Sequence, residues 1–256
     1  MKIILLIIFC LTLFNICLFS QGELSDKKAY NINEKTIALS LNSNGGGLNY
    51  RYGKRLDGTR RRIFDIDAAI VKHPKEIKTR NPYYDKNNNR FVFGKLNNFF
   101  NIRTGIGLQK ELYSKFDKGG VAIKYFYSGG FSLGILKPIY YDIIVGKTTI
   151  GNKQYINTIP QKFNYSIHTS SDIYGRTAFF NKGMDEIELI PGIHTKFGLS
   201  IDYSKNDRLI NAIEVGASID AYLKEVPIMA TEKNNQIFVA LFISYRFGKV
   251  YTKKDL

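Results

Sequence analysis

Residues 213–223 read IEVGASIDAYL, and this stretch decides the fold class of the chain. Every second residue from Ile213 to Leu223 is apolar, while the positions between them carry Glu214 and Asp220 among small and polar residues. Successive side chains of a β-strand point to opposite sides, so a period of two residues is typical of a strand with one apolar face. A helix would repeat its apolar residues every three or four positions. We therefore predict a β-strand here.

The same alternation recurs along the chain, most clearly in 121–135 and 189–203. Read over the whole sequence, it predicts eight strands near 36–43, 46–53, 62–72, 98–110, 119–136, 188–203, 208–223 and 236–248. Most of the connections are short, but those at 73–97 and 137–187 are long. An even number of strands with short turns at one end and long loops at the other is typical of outer-membrane barrels. We predict an all-β fold, an antiparallel up-and-down transmembrane β-barrel of about eight strands.

The polar face of the strands distinguishes this barrel from a soluble β-sandwich, which also has one apolar face per strand. Glycine is a poor residue for a solvated strand surface. In the narrow interior of an eight-stranded barrel, however, small residues leave room for long charged ones. The glycines of this face are Gly105, Gly107, Gly130, Gly134, Gly192, Gly198 and Gly216. We expect them to line a crowded interior.

The charged residues of the same face are balanced in sign. They are Arg51, Arg103, Lys124, Lys196 and Arg246 against Asp65, Asp67, Asp202, Glu214 and Asp220, with His194 between them. Buried charges have to be paired, so a near-neutral set is what a self-satisfied interior requires. We predict that these residues form a lumen charge network that fills the barrel. An ordinary solvated face with balanced charge is the alternative.

The N-terminus has the layout of a secretory signal peptide, in which Lys2 precedes an apolar run from Ile3 to Phe19. A single membrane anchor is the alternative interpretation of this run. Both cysteines, Cys10 and Cys17, lie inside it, so an exported chain would have no disulfide and no thiolate site. The predicted organisation is a signal peptide at 1–21, a periplasmic lead at 22–34, the barrel at 35–248 and a periplasmic tail at 249–256.

The last predicted strand ends in Ser244-Tyr245-Arg246-Phe247-Gly248. It resembles outer-membrane β-barrel proteins, whose final strand closes on an aromatic residue that the assembly machinery reads. By this resemblance Tyr245 and Phe247 would be the assembly signal. Together with Gln21 at the processing site, the ending is similar to small barrel proteins of the Bacteroidota phylum. The resemblance extends loosely over 36–248 and is specific only in the last dozen residues, and the tail 249–256 departs from it.

Two groups of residues are candidates for chemical sites. His168-Thr169-Ser170 resembles the His-x-Ser pair of outer-membrane lipid A deacylases, in which a histidine activates a serine and an acid orients the histidine. Here the pair falls in the 137–187 connection, where a loop histidine beside a loop serine is the alternative. His194 could relay protons or bind a metal, but the three histidines of the chain have no ligand spacing, which favours a paired core histidine. We predict no catalytic residue, no metal and no cofactor.

The formal charge of +15 suggests an anionic neighbour. No nucleic-acid-binding motif is present, so we expect outer-membrane glycolipid and no nucleic acid. The 73–97 loop mixes cations with aromatics, and the 137–187 loop is rich in Tyr and Phe, which suits a protein partner. We predict a non-enzymatic outer-membrane barrel that is a structural or accessory component of a complex. The alternatives are a small diffusion channel or uptake porin, and a lipid A-modifying hydrolase.

Overall fold

Thirteen β-strands make up the regular structure of the described residues, which are 32–84, 89–116, 119–150, 153–177, 182–206, 208–230 and 233–252 of a computed structural model. The predicted signal peptide, most of the predicted lead and the tip of the 73–97 loop lie outside these residues. The strands are β1 (Ile32–Asn42), β2 (Gly45–Arg55), β3 (Arg60–Val71), β4 (Lys78–Thr79), β5 (Phe91–Val92), β6 (Asn97–Tyr113), β7 (Ala122–Pro138), β8 (Tyr140–Ile150), β9 (Lys153–Lys162), β10 (Ile173–Arg176), β11 (Glu188–Asp202), β12 (Leu209–Tyr222) and β13 (Ile237–Thr252).

Eight of these strands close into an antiparallel barrel in the order β1-β13-β12-β11-β7-β6-β3-β2. The barrel closes where β1 pairs with β13, from Ile32 opposite Thr252 to Asn42 opposite Phe242. Closure gives every barrel strand two neighbours, so no backbone edge is left unpaired. The predicted fold class, an antiparallel β-barrel of eight strands, is confirmed.

The closing pair corrects the predicted boundaries of the barrel. β1 begins at Ile32 and β13 continues to Thr252, so the barrel reaches beyond 35–248 into the predicted lead and tail. The start of β1 and the end of β13 contain polar residues, which interrupt the alternation from which the limits of the barrel were predicted. In the structure the start of β1 pairs with the end of β13, and Glu34 on the inner face of β1 is buried.

The two faces of the barrel wall differ sharply in composition. Along β3, Ile63, Asp65 and Asp67 are buried inside, whereas Phe64 and Ile66 between them are exposed outside. In the middle of the barrel the inner face therefore carries the charged residues, and the outer face is apolar. Leu41, Phe131 and Leu241 on the outer face are each about two thirds or more exposed, at 68%, 77% and 67%.

The two ends of the barrel differ as well. The turns at 56–59, 114–121 and 203–208 lie at one end, together with the start of β1 and the end of β13. We call this the turn end. The connections at 43–44, 72–96, 139–187 and 223–236 lie at the other, which we call the loop end.

The 137–187 segment, expected to be a long loop, contains a second small sheet of order β10-β8-β9. Its strands were missed because β8, with sequence YYDIIVGKTTI, does not alternate. The 73–97 loop contributes the short pair β4-β5. These parts, 72–96 and 139–187, form what we call the head. Among the described residues there is no helix long and apolar enough to cross a membrane.

Candidate functional site

The lumen is built around Glu214, whose carboxylate is fully buried and binds two arginines. Arg51 Nη1 lies 2.8 Å from Glu214 Oε1, and Arg246 contacts both carboxylate oxygens, at 2.7 and 3.0 Å. Arg51 also binds Asp65, with Nε 2.7 Å from Oδ1. Thr36 accepts a hydrogen bond from Arg246 Nη1 at 2.8 Å. Two cations and two acids therefore form one neutral cluster.

Among the described residues, three ion pairs join barrel strands that are separated by two other strands. Besides the pair of Arg51 on β2 with Glu214 on β12, Arg103 on β6 binds Asp220 on β12 through two contacts of 2.7 and 2.6 Å. Lys196 Nζ on β11 lies 3.0 Å from Asp67 Oδ1 on β3. Each of these bonds crosses the interior, because two other strands separate its partners in the barrel order. The lumen is therefore bridged from wall to wall.

All ten predicted charges of the lumen network lie inside the barrel, and each is in an ion pair. The remaining pair joins Lys124 and Asp202, with Nζ 2.9 Å from Oδ2. Lys115, which the sequence reading did not include, reaches the second oxygen of Asp202 at 2.9 Å. Glu34 was also missed, since it lay outside the predicted strands; it lies 3.5 Å from Arg61. Among the described residues the interior is thus a paired network somewhat larger than predicted.

His194 is the member of the predicted set that the structure does not pair. It is 2% exposed, and among the described residues neither ring nitrogen is hydrogen-bonded to another side chain. Asp220, opposite it in register, is engaged by Arg103. His194 forms no ion pair with Asp220, because the Arg103 guanidinium binds that carboxylate through two contacts. A Cβ on Gly105 would come 3.0 Å from the His194 Cε1 atom, so the glycine leaves space for the ring.

Two aromatic rings fill the lumen beside the charges. Phe126 lies under the Arg51 guanidinium, 4.3 Å from the ring centre, and Phe242 lies 4.8 Å from Lys196 Nζ. The opposed glycines Gly198 and Gly216 give the rings room. A Cβ at Gly198 would approach Phe126 Cζ to 3.0 Å, and one at Gly216 would approach Phe242 Cζ to 2.8 Å. Along their strands Phe126 shares a face with Lys124, and Phe242 shares a face with Arg246, so the alternation held a signal that could have revealed both rings.

An apolar cluster closes the barrel at the loop end. The 223–236 connection turns inward, and Val226, Ile228 and Met229 are at most 3% exposed. They pack with lumen-facing residues of the barrel mouth, and the whole cluster is Val71, Phe99, Leu136, Ile190, Tyr222, Val226, Ile228 and Met229. Leu96 N donates to Ile228 O at 2.9 Å, which fixes the connection to the head. We call residues 226–229 the lid.

The head has its own apolar core and joins both long connections. Its core is Phe91, Ile139, Tyr141, Ile143, Phe163 and Ile173. Tyr141 Oη lies 2.8 Å from Val92 O and 2.7 Å from Lys95 O, and burial raises the pKa of Tyr141. Asn81 Nδ2 lies 2.8 Å from the carbonyls of Ser171 and Ile173. The head is therefore a folded unit.

The partners of the His168 imidazole are groups other than Ser170 and Asp172. His168 is buried in the head, where Nδ1 accepts a hydrogen bond from Asn164 N at 3.1 Å and Nε2 lies 3.3 Å from Gln161 Oε1. Asp172, an acid close to them in sequence, accepts hydrogen bonds from Thr169 N and Oγ1 at 2.8 and 2.6 Å. Both ring nitrogens are thus occupied by groups other than a serine and an acid. Within the described ranges, no group of three His, Cys, Asp or Glu side chains could hold a metal ion.

Tyr245 and Phe247, the residues of the predicted assembly signal, lie on the outer face of β13 with their ring centres 6.1 Å apart. They are about two fifths exposed, at 43% and 41%. β13 continues past Phe247 to Thr252, so the aromatic pair lies inside the strand rather than at its end.

Solved structures with a similar fold include a surface protein, an attachment invasion locus protein and an outer membrane protein. Neisserial surface protein A is 10% identical, covers 86% of this chain and 96% of its own, and has a TM-score of 0.34. Ail, the attachment invasion locus protein of Yersinia pestis, is 8% identical, with 87% and 100% covered and a TM-score of 0.37. OprG from Pseudomonas aeruginosa is 9% identical, with 88% and 97% covered and a TM-score of 0.34.

No family model matches the chain, and no curated protein matches it. The identities and TM-scores above are too low to carry an argument about function. The fold of the chain therefore follows from its own strand pairing, which shows a closed eight-stranded antiparallel β-barrel.

Proposed function

We propose that the chain is a non-enzymatic outer-membrane barrel that does not conduct, and that it serves as a structural or accessory component by presenting its head to a partner. The observation that carries this proposal is the inverted distribution of polarity, with paired charges inside and apolar side chains outside. A soluble barrel of this composition would expose its apolar face to water, at about 25 cal/mol for each Å² left unburied. Only a bilayer gives such a face a favourable surrounding.

Aromatic residues on the outer face near the turn end support insertion in a bilayer. Tyr50, Phe64, Tyr203, Tyr245 and Phe247 point outward there and are between 37% and 43% exposed. Rings with a polar tip favour the boundary between acyl chains and headgroups, and membrane barrels carry girdles of them. The turn end, which holds both ends of the barrel sequence, would face the periplasm. The head would then face the outside, and the likeness of the last strand to Bacteroidota-type barrels remains part of this proposal.

A closed interior favours this reading over a diffusion channel. The ionic bridges cross the middle of the lumen, and the lid covers its loop end. A water path would have to displace both, which would expose apolar side chains and separate buried ion pairs. The occupied nitrogens of His168 likewise favour a structural histidine over a lipid A-modifying hydrolase.

The first test of the proposal is electrical. In a planar bilayer of outer-membrane lipids, the inserted chain is expected to give no steady single-channel current, since both the ionic bridges and the lid block the lumen. Insertion is verified independently by protection of the barrel strands from protease. Regular current steps from the protected, inserted chain would favour the channel instead.

We place the partner surface on the outer side of the head, at the edge strand β9. Among the described residues β9 has one neighbouring strand, β8, and its second edge is unpaired. Tyr155 and Ile159 on this edge strand are 50% and 49% exposed. An unpaired strand edge with apolar side chains is a template for strand addition by a partner. The exposed cations Lys78, Arg80 and Arg90 of the 73–97 loop suit the phosphates of outer-membrane glycolipid.

The test of the partner role compares two substitutions on β9. A tagged chain extracted from outer membranes in mild detergent is expected to bring down a companion protein in stoichiometric amount. Ile159→Asp should reduce the yield of that companion several-fold, because it places a charge in an apolar contact. Thr158→Asp, which adds the same charge on the opposite face of the same strand, should leave most of it bound. A chain that purifies alone would contradict the accessory role.

A further inference from the structure

We propose that a basic strip on the outer wall of the turn end binds the phosphate groups of anionic phospholipids in the adjoining membrane leaflet. The strip consists of Lys249 on β13, Lys35 on β1, Lys54 on β2, Arg60 and Arg62 on β3, and Lys110 on β6. All six side chains are exposed. The inference rests on the proposed membrane insertion. It adds a ligand, an anionic phospholipid, that is bound on one side of the barrel.

The strand register places like charges directly opposite one another. Lys35 pairs in register with Lys249, Lys54 with Arg62, and Arg60 with Lys110. Side chains opposite each other on one face of an antiparallel pair have their Cβ atoms about 5 Å apart, and like charges in that position are destabilising. Three such pairs on adjoining strands form a concentration of positive charge that a bound anion would relieve.

Acidic side chains near the strip leave most of it uncompensated. Asp57 pairs with Arg60 at 2.7 Å, and the Lys35 ammonium lies 5.4 Å from the centre of the Tyr251 ring. Glu34 and Glu111 are turned toward Arg61, away from the strip. Within the described ranges no carboxylate forms an ion pair with the four remaining cations, Lys54, Arg62, Lys110 and Lys249.

The strip lies at the level of the lipid headgroups if the barrel is inserted. On the same face and strands, the next residues toward the barrel centre are apolar or aromatic, namely Ile37, Tyr52, Phe64, Leu108 and Phe247. The cations therefore border the apolar band directly. A phosphate held there would keep its acyl chains against that band, which a free phosphate ion would not do.

The strip occupies one side of the barrel only. At the same level the outward positions of β7, β11 and β12 are Tyr125, Ile201 and Leu209, which are uncharged. The cations of that side, Lys205 and Arg208, lie in the turn beyond the strand ends. A general attraction to a charged leaflet would not need such asymmetry, whereas a bound lipid on one side would.

The test uses the full chain reconstituted in vesicles of phosphatidylcholine with roughly one third phosphatidylglycerol, followed by native mass spectrometry of the lipids that stay bound after extraction. Because several cations of the strip lie beside one headgroup, the ratio of phosphatidylglycerol to phosphatidylcholine among the lipids retained by the wild type is expected to be about tenfold higher than in the vesicle. The variant Lys54→Gln/Arg62→Gln/Lys249→Gln should lose this enrichment. The matched control Lys205→Gln/Arg208→Gln/Lys182→Gln removes the same charge outside the strip and should keep it.

The outcomes separate this inference from the proposed function. Equal enrichment in the wild type and the strip variant, or none in the wild type, would overturn the strip as a lipid site while leaving an inserted barrel. Displacement of phosphatidylglycerol by millimolar inorganic phosphate would overturn the lipid as the source of the phosphate. Failure of the chain to insert even in pure phosphatidylcholine, seen as full protease cleavage, would overturn both.

Discussion

Replacing Glu214 with glutamine is expected to lower the free energy of unfolding by about 3–5 kcal/mol, the usual cost of breaking a buried ion pair by removing one partner. The Glu214 carboxylate is the shared acceptor of Arg51 and Arg246, and all three side chains are at most 3% exposed. A neutral amide of the same shape leaves two guanidinium groups with one nearby carboxylate, that of Asp65. The measurement is reversible denaturant unfolding of the barrel in detergent or vesicles. It is monitored by circular dichroism, because the chain has no tryptophan.

A matched substitution in the head provides the control. Glu186 also binds a cation, Lys162, at 2.8 Å, but both side chains are largely solvent-exposed, at 37% and 50%. Glu186→Gln is expected to cost less than about 1 kcal/mol, the range measured for surface pairs. If Glu214→Gln were as mild as Glu186→Gln, the interior would be hydrated enough to screen its charges, and the closed lumen of the proposed function would be contradicted.

The lid and the charge network depend on each other. Hydrogen bonds and ion pairs strengthen in a medium of low dielectric constant, and water entering the lumen would weaken them. The lid residues Val226, Ile228 and Met229 keep bulk water from the loop end of the network. The network in turn draws opposite walls together, which brings Phe99 and Tyr222 into contact at the mouth. The barrel interior is thus better described as a protein core with charges in it than as a pore.

The strand period explains what the sequence could predict. Because lumen-facing residues recur every second position, the alternation placed Arg51, Asp65 and Glu214 on the inner face without any knowledge of their partners. The partners depend on the stagger of the strands around the barrel. The sequence of a single strand does not determine that stagger. The ion pairs of Arg103 with Asp220 and of Lys196 with Asp67 could therefore not be predicted.

Other parts of the site were hidden for different physical reasons. Glu34 lies where a strand begins in a polar stretch, and only its pairing with β13 shows that it is inside. The lid is an apolar run, Val226-Pro227-Ile228-Met229, in a segment interpreted as a connection, and an apolar run in a loop is the signal that could have revealed it. The head is stabilised by contacts between segments far apart in sequence, such as Asn81 with Ile173, which no local pattern records.

Replacing Gly216 with alanine is expected to destabilise the barrel by about 2–3 kcal/mol or to prevent its folding, because overpacking a tight interior forces the backbone to move. A Cβ at this position would lie 2.1 Å from Phe197 O, 2.7 Å from Gly198 Cα and 2.8 Å from Phe242 Cζ. Two of these atoms belong to the backbone of the paired strand and cannot turn aside as a flexible side chain can.

Gly129→Ala is the control, since a Cβ there meets its nearest atom, His194 O, at 3.5 Å. The folded fraction of each variant is measured by its heat-dependent mobility shift in gel electrophoresis. Equal folded fractions would mean that β11 and β12 can separate at Gly198 and Gly216, and the lumen would then have slack that the wall-to-wall ion pairs do not allow.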